Sequence, residues 1–473
     1  MLVQGYHPGL EDDGVYLPAI KKDLSPQLYP HDSDFFQVQL QATVFDKLIA
    51  GSIRLSGISL PWGILVWQFA SIFLILYACW QISRRCFPEA HSQWAAVAMV
   101  ASLLTIPVSA TALCLVDQHL HPRALATAAI LGAILAVLDR RPLFAGAFLT
   151  AALLLHPIMA SFGISYCTFL FCNQPNWLSR KSSKWHSAGA AAFFLPLGWI
   201  FDPASDAWRQ AARTRSYYFL LNWRWYEWLG VFAPLVLLWG FRWIARRNRS
   251  PAMERLACRL MLFGIFQTIV GLIIMLPPSF ERLRPLQPMR FLHLVYLLFF
   301  LLLGGLVGQY ILRKHIYRWL LLFIPLAAAM FYVQRQTLPA TEPLELPGLA
   351  PRNAWVQAFY WVRENTPRDA YFALDPYYMN LPGEDYHGFR ALAERSALAD
   401  YLKDPPVVTQ VPRLAARWQA EVNAQSGWKN FQKADFQKLK REFGVDWVVL
   451  ASPGVEGMNC PYRNDSVLVC RVD

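Results

Sequence analysis

The chain has 473 residues, 55% of them apolar and only 16% charged, with 19 Trp, 19 Tyr and 31 Phe. That balance excludes a string of ordinary soluble domains and points to a polytopic membrane protein with a modest soluble part, its rings placed at bilayer boundaries and between helices. The formal net charge of +12 is dispersed in short basic pieces between apolar runs, which is the distribution of membrane topology and excludes a nucleic-acid role.

Residues 5–34, GYHPGLEDDGVYLPAIKKDLSPQLYPHDSD, form a polar, carboxylate-rich run ahead of the apolar body. Glu11, Asp12 and Asp13 sit between Gly9 and Gly14, whose freedom lets a loop carboxylate point back toward a cavity between helices. The opening MLVQGYHPG lacks the basic start and apolar run of a secretory signal. Residues 35–55 place Val38, Ala42, Phe45 and Ile49 three and four apart among Gln, Asp, Lys and Arg, so they read as an amphipathic helix near the interface.

Apolar spans then follow at about 62–80, 93–116, 122–138, 143–157, 158–172, 187–201, 229–244, 256–276, 290–311 and 317–333, about ten crossings in all. The pair around His156 and Pro157 is short. It reads either as two partial helices meeting inside the membrane or as one tilted, kinked span.

Alternate connections carry Arg84 and Arg85; Arg140 and Arg141; Arg180, Lys181 and Lys184; Arg242, Arg246, Arg247, Arg249 and Arg255; and Arg313, Lys314 and Arg318. These define the cytoplasmic side and place the acidic loop and the tail outside. Against that parity, Arg209, Arg213, Arg215 and Arg224 lie in one outer connection, and Arg282, Arg284 and Arg290 in another. Bases on the disfavoured side need another role, and binding a phosphate-bearing substrate is one.

The domain plan is therefore an acidic loop and interfacial helix (1–60), an all-α polytopic transmembrane domain (61–335), a Pro-rich linker (336–352) and a small extracytoplasmic α/β domain (353–473). In the tail, 354–364, 389–402, 415–424 and 434–443 read as helices, and 370–374, 445–451 and 467–472 as strands. Cys460 and Cys470 either pair across a hairpin around Asn464 and Asp465 or stand as two small hydrophobes. The eight Cys include no CxxC, so no zinc ribbon or iron–sulfur cluster is indicated.

Four groups of residues can carry chemistry. Asp12 or Asp13 could orient or deprotonate an acceptor hydroxyl while neighbouring acids hold a divalent cation (Mg or Mn) against a phosphate, or these acids are simply solvated. Asp117, His119, His121 and Arg123, in VDQHLHPRA, are a ligand set, a contribution to a shared cavity, or ordinary turn chemistry. Glu281, Arg282, Arg284 and Arg290, in PPSFERLRPLQPMRFLHL, offer an anion site where a helix begins, or interface snorkelling. The aromatic run from Trp208 to Trp228 is an interfacial anchor or a wall admitting a lipid-linked substrate.

HPGLEDDGVYLPAIKKDLSPQLYPHDSDFF, DQHLHPRALATA, LQPMRFLHL and WVRENTPRDAYFALDP together resemble the GT-C superfamily of polytopic glycosyltransferases, in an uncharacterised bacterial branch. The resemblance spans essentially the whole chain. It implies a transferase that uses a polyprenyl-phosphate-linked sugar and a glycan, lipid or protein acceptor in the bacterial inner membrane, with the acidic loop and tail periplasmic. Asp12 or Asp13 would be the base or metal-side residue and Asp117 a second acid, with Arg290 and then Arg284 meeting the lipid phosphate. His7, Glu11 and His121 are further candidate substrate contacts. The family's first helix precedes the acidic loop, whereas this sequence starts at the loop, so the expectation is of a truncated start. A transporter or flippase, or a noncatalytic member of an envelope assembly, is the competing reading. Transport would place charges near span centres, and these interiors are almost free of them.

Overall fold

A computed structural model describes residues 1, 3–172 and 203–473. The expected span at 187–201 and the basic cluster at Arg180, Lys181 and Lys184 lie outside the described residues.

The polar N-terminal stretch is less of a loop than its composition implies. Asp13 opens helix α1 (Asp13–Leu24), which buries Val15, Leu17 and Ile20. The single interfacial helix expected over 35–55 is two, α2 (Asp34–Leu40) and α3 (Phe45–Ser56). The chain breaks between them because the Val44 amide donates to the Leu154 carbonyl at 2.9 Å, a tie to the membrane part that a continuous helix would forbid. In α3, Phe45, Ile49, Ala50 and Ile53 are buried and Leu55 is exposed.

The apolar helices are α4 (Leu60–Cys86), α5 (Ala90–Ala101), α6 (Pro122–Leu138), α7 (Pro142–Leu155) and α8 (Pro157–Phe171). After the short α9 (Asp206–Arg213) come α10 (Trp225–Arg247), α11 (Pro251–Met275), α12 (Phe291–Val307) and α13 (Ile316–Thr337). Proline stands in the first turn of α4, α6, α7, α8 and α11, where its missing N–H breaks no helical bond. Among the described residues five helices are long and apolar enough to cross a membrane, and α6, α7 and α8 are shorter apolar helices.

The expected span at 93–116 is corrected. Helix α5 stops at Ala101, and residues 102–121 form an irregular cover pinned by a Thr105–Cys114 bridge, since Pro107 cannot donate to a continuing helix. At His156 and Pro157 the chain reverses rather than kinks. Helix α7 runs up to Leu154, beside α3, and α8 runs down to the far end, where the Tyr166 hydroxyl donates to the Leu256 carbonyl near the start of α11.

That far end gathers the basic connections: Arg85 pairs with Asp139, Arg246 with Glu254, Ser250 donates to the Cys86 carbonyl and Asn248 to Tyr310. At the opposite end lies an extramembranous layer. The tail contributes α14 (Ala354–Asn365), α15 (Phe389–Ala393), α16 (Asp404–Gln410), α17 (Ala415–Ala424) and α18 (Lys433–Phe443). Its five-stranded sheet has the order β2-β1-β3-β5-β4, with β1 (Tyr371–Leu374), β2 (Ser396–Ala397), β3 (Trp447–Ala451), β4 (Asn459–Arg463) and β5 (Val467–Arg471). β1 pairs parallel with β2 and β3, and β5 antiparallel with β3 and β4.

The helix expected over 389–402 ends at Ala393. Glu394 turns left-handed at φ 55°, and the Arg395 guanidinium then binds the carbonyls of Arg363 and Thr366, fastening the chain across the end of α14. Cys460 and Cys470 are bonded to each other across the β4–β5 hairpin. One core joins α1, α2 and α3 to one face of the sheet, while α18 covers the other face, so the N-terminal helices and the tail form one layer. Trp208, read as an interfacial ring, is instead buried in that layer and donates to the Thr409 carbonyl at 3.0 Å.

Candidate functional site

Residues 6–11 run as a strap between the linker and the tail, turning at Pro8 and Gly9. Tyr6 bridges Leu344 and Leu10 bridges His387, and the Glu11 amide donates to the Tyr386 carbonyl at 2.9 Å. Gly388 meets both the strap and the first turn of α1: its amide donates to the Gly9 carbonyl at 2.8 Å, and a Cβ there would stand 2.8 Å from the Gly14 Cα. The three acids are thereby fixed to point in different directions.

Asp13 turns inward. It is 1% exposed and its Oδ2 accepts the Gly9 amide at 2.6 Å. Burial outweighs that bond and raises its pKa to about 7. Asp12 stays accessible, with 41% of its side chain exposed, and stands between Lys403 Nζ at 3.5 Å and His121 Nε2 at 3.6 Å. Burial opposes its charge, but Lys403, His121 and Arg290 outweigh that and hold the carboxyl well below the usual range. Glu11, 45% exposed and with a left-handed backbone at φ 52°, pairs directly with Lys403.

Lys403 comes from the tail and was not singled out in the sequence; its side chain is only 7% exposed, and burial is overcome by Glu11 and Asp12, so its pKa is raised. A lysine 392 positions away from its partner leaves no local trace. The one available signal is its place immediately before Asp404 and Pro405 at a helix start.

His121 caps α6. Its Nδ1 accepts the Arg123 amide at 2.9 Å, which assigns the proton of the neutral ring to Nε2, facing Asp12. Burial lowers its pKa to about 4, with Arg123 adding to the effect, so the ring is neutral at pH 7. Nε2 has no hydrogen-bond partner among the described residues, and neither nitrogen of buried His119 has one. His156 stacks 6.1 Å from His121, and Tyr16 meets the same ring edge-on at 4.8 Å. The reversal between α7 and α8 thus reaches the site.

Asp117 is committed elsewhere. Arg123 grips both of its oxygens, Nε lying 3.2 Å from Oδ2, and the pair is buried; burial is outweighed by Arg123 and Asp117 stays far below the usual range. It lines the floor of the cluster as a neutralised pair.

The arginines of the two connections at 209–224 and 282–290 sort by partner. Arg209 pairs with Glu281 at 2.9 Å, Arg215 donates to the Tyr401 and Leu402 carbonyls, and Arg284 lies 5.1 Å over the Phe219 ring. Arg290, at the start of α12, lies within electrostatic reach of Asp12 and Tyr16 and its side chain has no ion-pair or hydrogen-bond partner among the described residues.

His7 is placed apart from this cluster, between Glu345 Oε2 at 3.0 Å and Gln334 at 2.9 Å. Among the described residues no three His, Cys, Asp or Glu side chains are grouped to hold a metal ion. Of the two acids named for a divalent cation, Asp13 serves the Gly9 amide and Asp12 has the Lys403 ammonium beside it.

No protein-family model and no curated protein matches the chain. Its backbone is similar to the crystal structure of the Archaeoglobus fulgidus oligosaccharyltransferase in the apo form, with a TM-score of 0.45 and 11% sequence identity, over 94% of this chain and 66% of that one. The chain thus spans just under two thirds of the length of that protein.

Proposed function

We propose that this multi-pass membrane protein is a GT-C-like glycosyltransferase that moves a sugar, with inversion, from a polyprenyl-phosphate donor to a glycan, lipid or protein acceptor. The observation that carries the reading is an accessible carboxylate, Asp12, within electrostatic reach of the guanidinium of Arg290, which has no side-chain partner among the described residues. The acceptor oxygen forms a bond to the anomeric carbon, the bond from that carbon to the lipid phosphate breaks, and the acceptor proton passes to Asp12. Arg290 faces the charge that collects on the departing phosphate. His121 Nε2 and Asp12 Oδ2, 3.6 Å apart, both stand within reach of one acceptor hydroxyl in this reading. Lys403 holds Asp12 ionised through the neutral range.

In this reading the layer holding Asp12 is periplasmic in a bacterial inner membrane, and it is supported by the basic connections Arg84 and Arg85, Arg246 and Arg247 at the other end. The test supplies polyprenyl-phosphate sugars to the reconstituted protein. Asp12→Asn is expected to lose about 10²–10⁴-fold in turnover and Arg290→Gln about 10²-fold, and undiminished turnover in Asp12→Asn would remove the assignment.

A further inference from the structure

A cavity of about 1110 Å³ is lined by neither Asp12 nor Arg290. It opens on another side of the N-terminal strap, where the first turn of α4, the linker after α13 and the end of α14 meet. Its two halves differ in chemistry. One wall is apolar, built from Leu17, Leu60, Pro61, Ile64, Leu344 and Leu349. Leu60 and Pro61 open a 27-residue membrane-spanning helix, so this wall stands at the bilayer boundary. Leu349 is 67% exposed at its edge.

The other half is basic. Of the carboxylates facing it, Glu394 takes Lys21 at 2.7 Å, Glu364 takes Arg363 at 3.2 Å, and Glu345 Oε2 receives His7 at 3.0 Å and His387 at 3.3 Å. Arg395 is occupied by backbone carbonyls. Arg352 and Arg368 remain, both exposed and without a side-chain partner among the described residues; exposed Glu342 offsets one of the two charges. Arg363 and Arg368 also lie close enough to Arg395 for their charges to oppose it. A concave site with a greasy wall at the bilayer and spare guanidinium forks at its rim has the shape of a phosphate-bearing amphiphile.

We propose that this cavity binds an anionic phospholipid taken from the bilayer, its phosphate against Arg352 and Arg368 and its chains along Leu17, Ile64 and Leu349. The site is separate from Asp12 and Arg290, so it stands whether or not the chain transfers sugars.

The test uses the full-length protein, delipidated in detergent and offered phosphatidylglycerol and phosphatidylcholine in equal amounts, with retained lipid read by native mass spectrometry. Wild type is expected to retain phosphatidylglycerol about tenfold over phosphatidylcholine. The Arg352→Gln/Arg368→Gln variant is expected to lose that preference, and Arg84→Gln/Arg247→Gln, at the other end of the bundle, to keep it. Equal retention of the two lipids by wild type, or a preference that survives Arg352→Gln/Arg368→Gln, overturns the proposal. Inorganic phosphate that competes as strongly as phosphatidylglycerol assigns the site to a soluble anion and overturns the bilayer source.

Discussion

Asp12 and Asp13 are chemically identical neighbours with opposite surroundings. Asp13 heads a buried helix and serves the Gly9 amide, while Asp12 keeps 41% of its side chain in the open between two cationic or polar partners. Two outcomes follow at this scale. Because the folded pKa of Asp13 is raised from 3.8 to about 7, the folded chain holds a proton that the unfolded chain releases, so stability falls as pH rises through that window. The effect is on the order of 2–4 kcal/mol. Asp13→Asn keeps an oxygen for Gly9 and removes the titration, so melting temperatures measured from pH 4 to 7 should decline in wild type relative to the variant. Lys403→Met removes the ammonium that holds Asp12 below the usual carboxylate range. The acid limb of the transfer rate should therefore move to higher pH by about one unit or more, read from the pH profile of kcat.

The helix elements show where local pattern is enough and where a partner decides. Helix α6 occupies 122–138 as expected, because Pro122 starts it and an unbroken apolar run carries it to Asp139. Helix α5 and the segment after Ala393 end early because a proline and a buried arginine, neither of which alters apolar periodicity, redirect the backbone. Helices α5 and α12 approach closely where glycines face them: a Cβ on Gly304 would stand 2.5 Å from the Met99 Cβ, and one on Gly308 would stand 2.6 Å from the Ala95 Cβ. Gly304→Leu is expected to force α12 from α5 and lower stability by about 1–3 kcal/mol or more, seen as a lower melting temperature in detergent. In the tail, Cys460→Ser/Cys470→Ser is expected to remove about 2–3 kcal/mol from the sheet domain, measured by denaturant unfolding with and without reductant.

Across the whole molecule, the basic connections lie at one end and the N-terminal helices, irregular cover and sheet domain at the other. Arg247→Cys and Tyr377→Cys should therefore react with a membrane-impermeant maleimide from opposite sides of the membrane, and labelling from one side would contradict the arrangement. The sequence by itself determined the membrane class, the starts of most apolar helices and the α/β character of the tail, since composition, proline positions and periodicity are local properties. It also brought forward Asp12, His121 and Arg290 from three separate stretches. Only the tertiary structure decided that Asp13 faces inward, that Asp117 is held by Arg123, that His7 belongs with Glu345, and that Lys403 crosses from the tail to Asp12. Those outcomes depend on which distant groups meet in a buried space, where each charge must find a counter-charge or lose its ionisation. No spacing along the chain encodes that pairing.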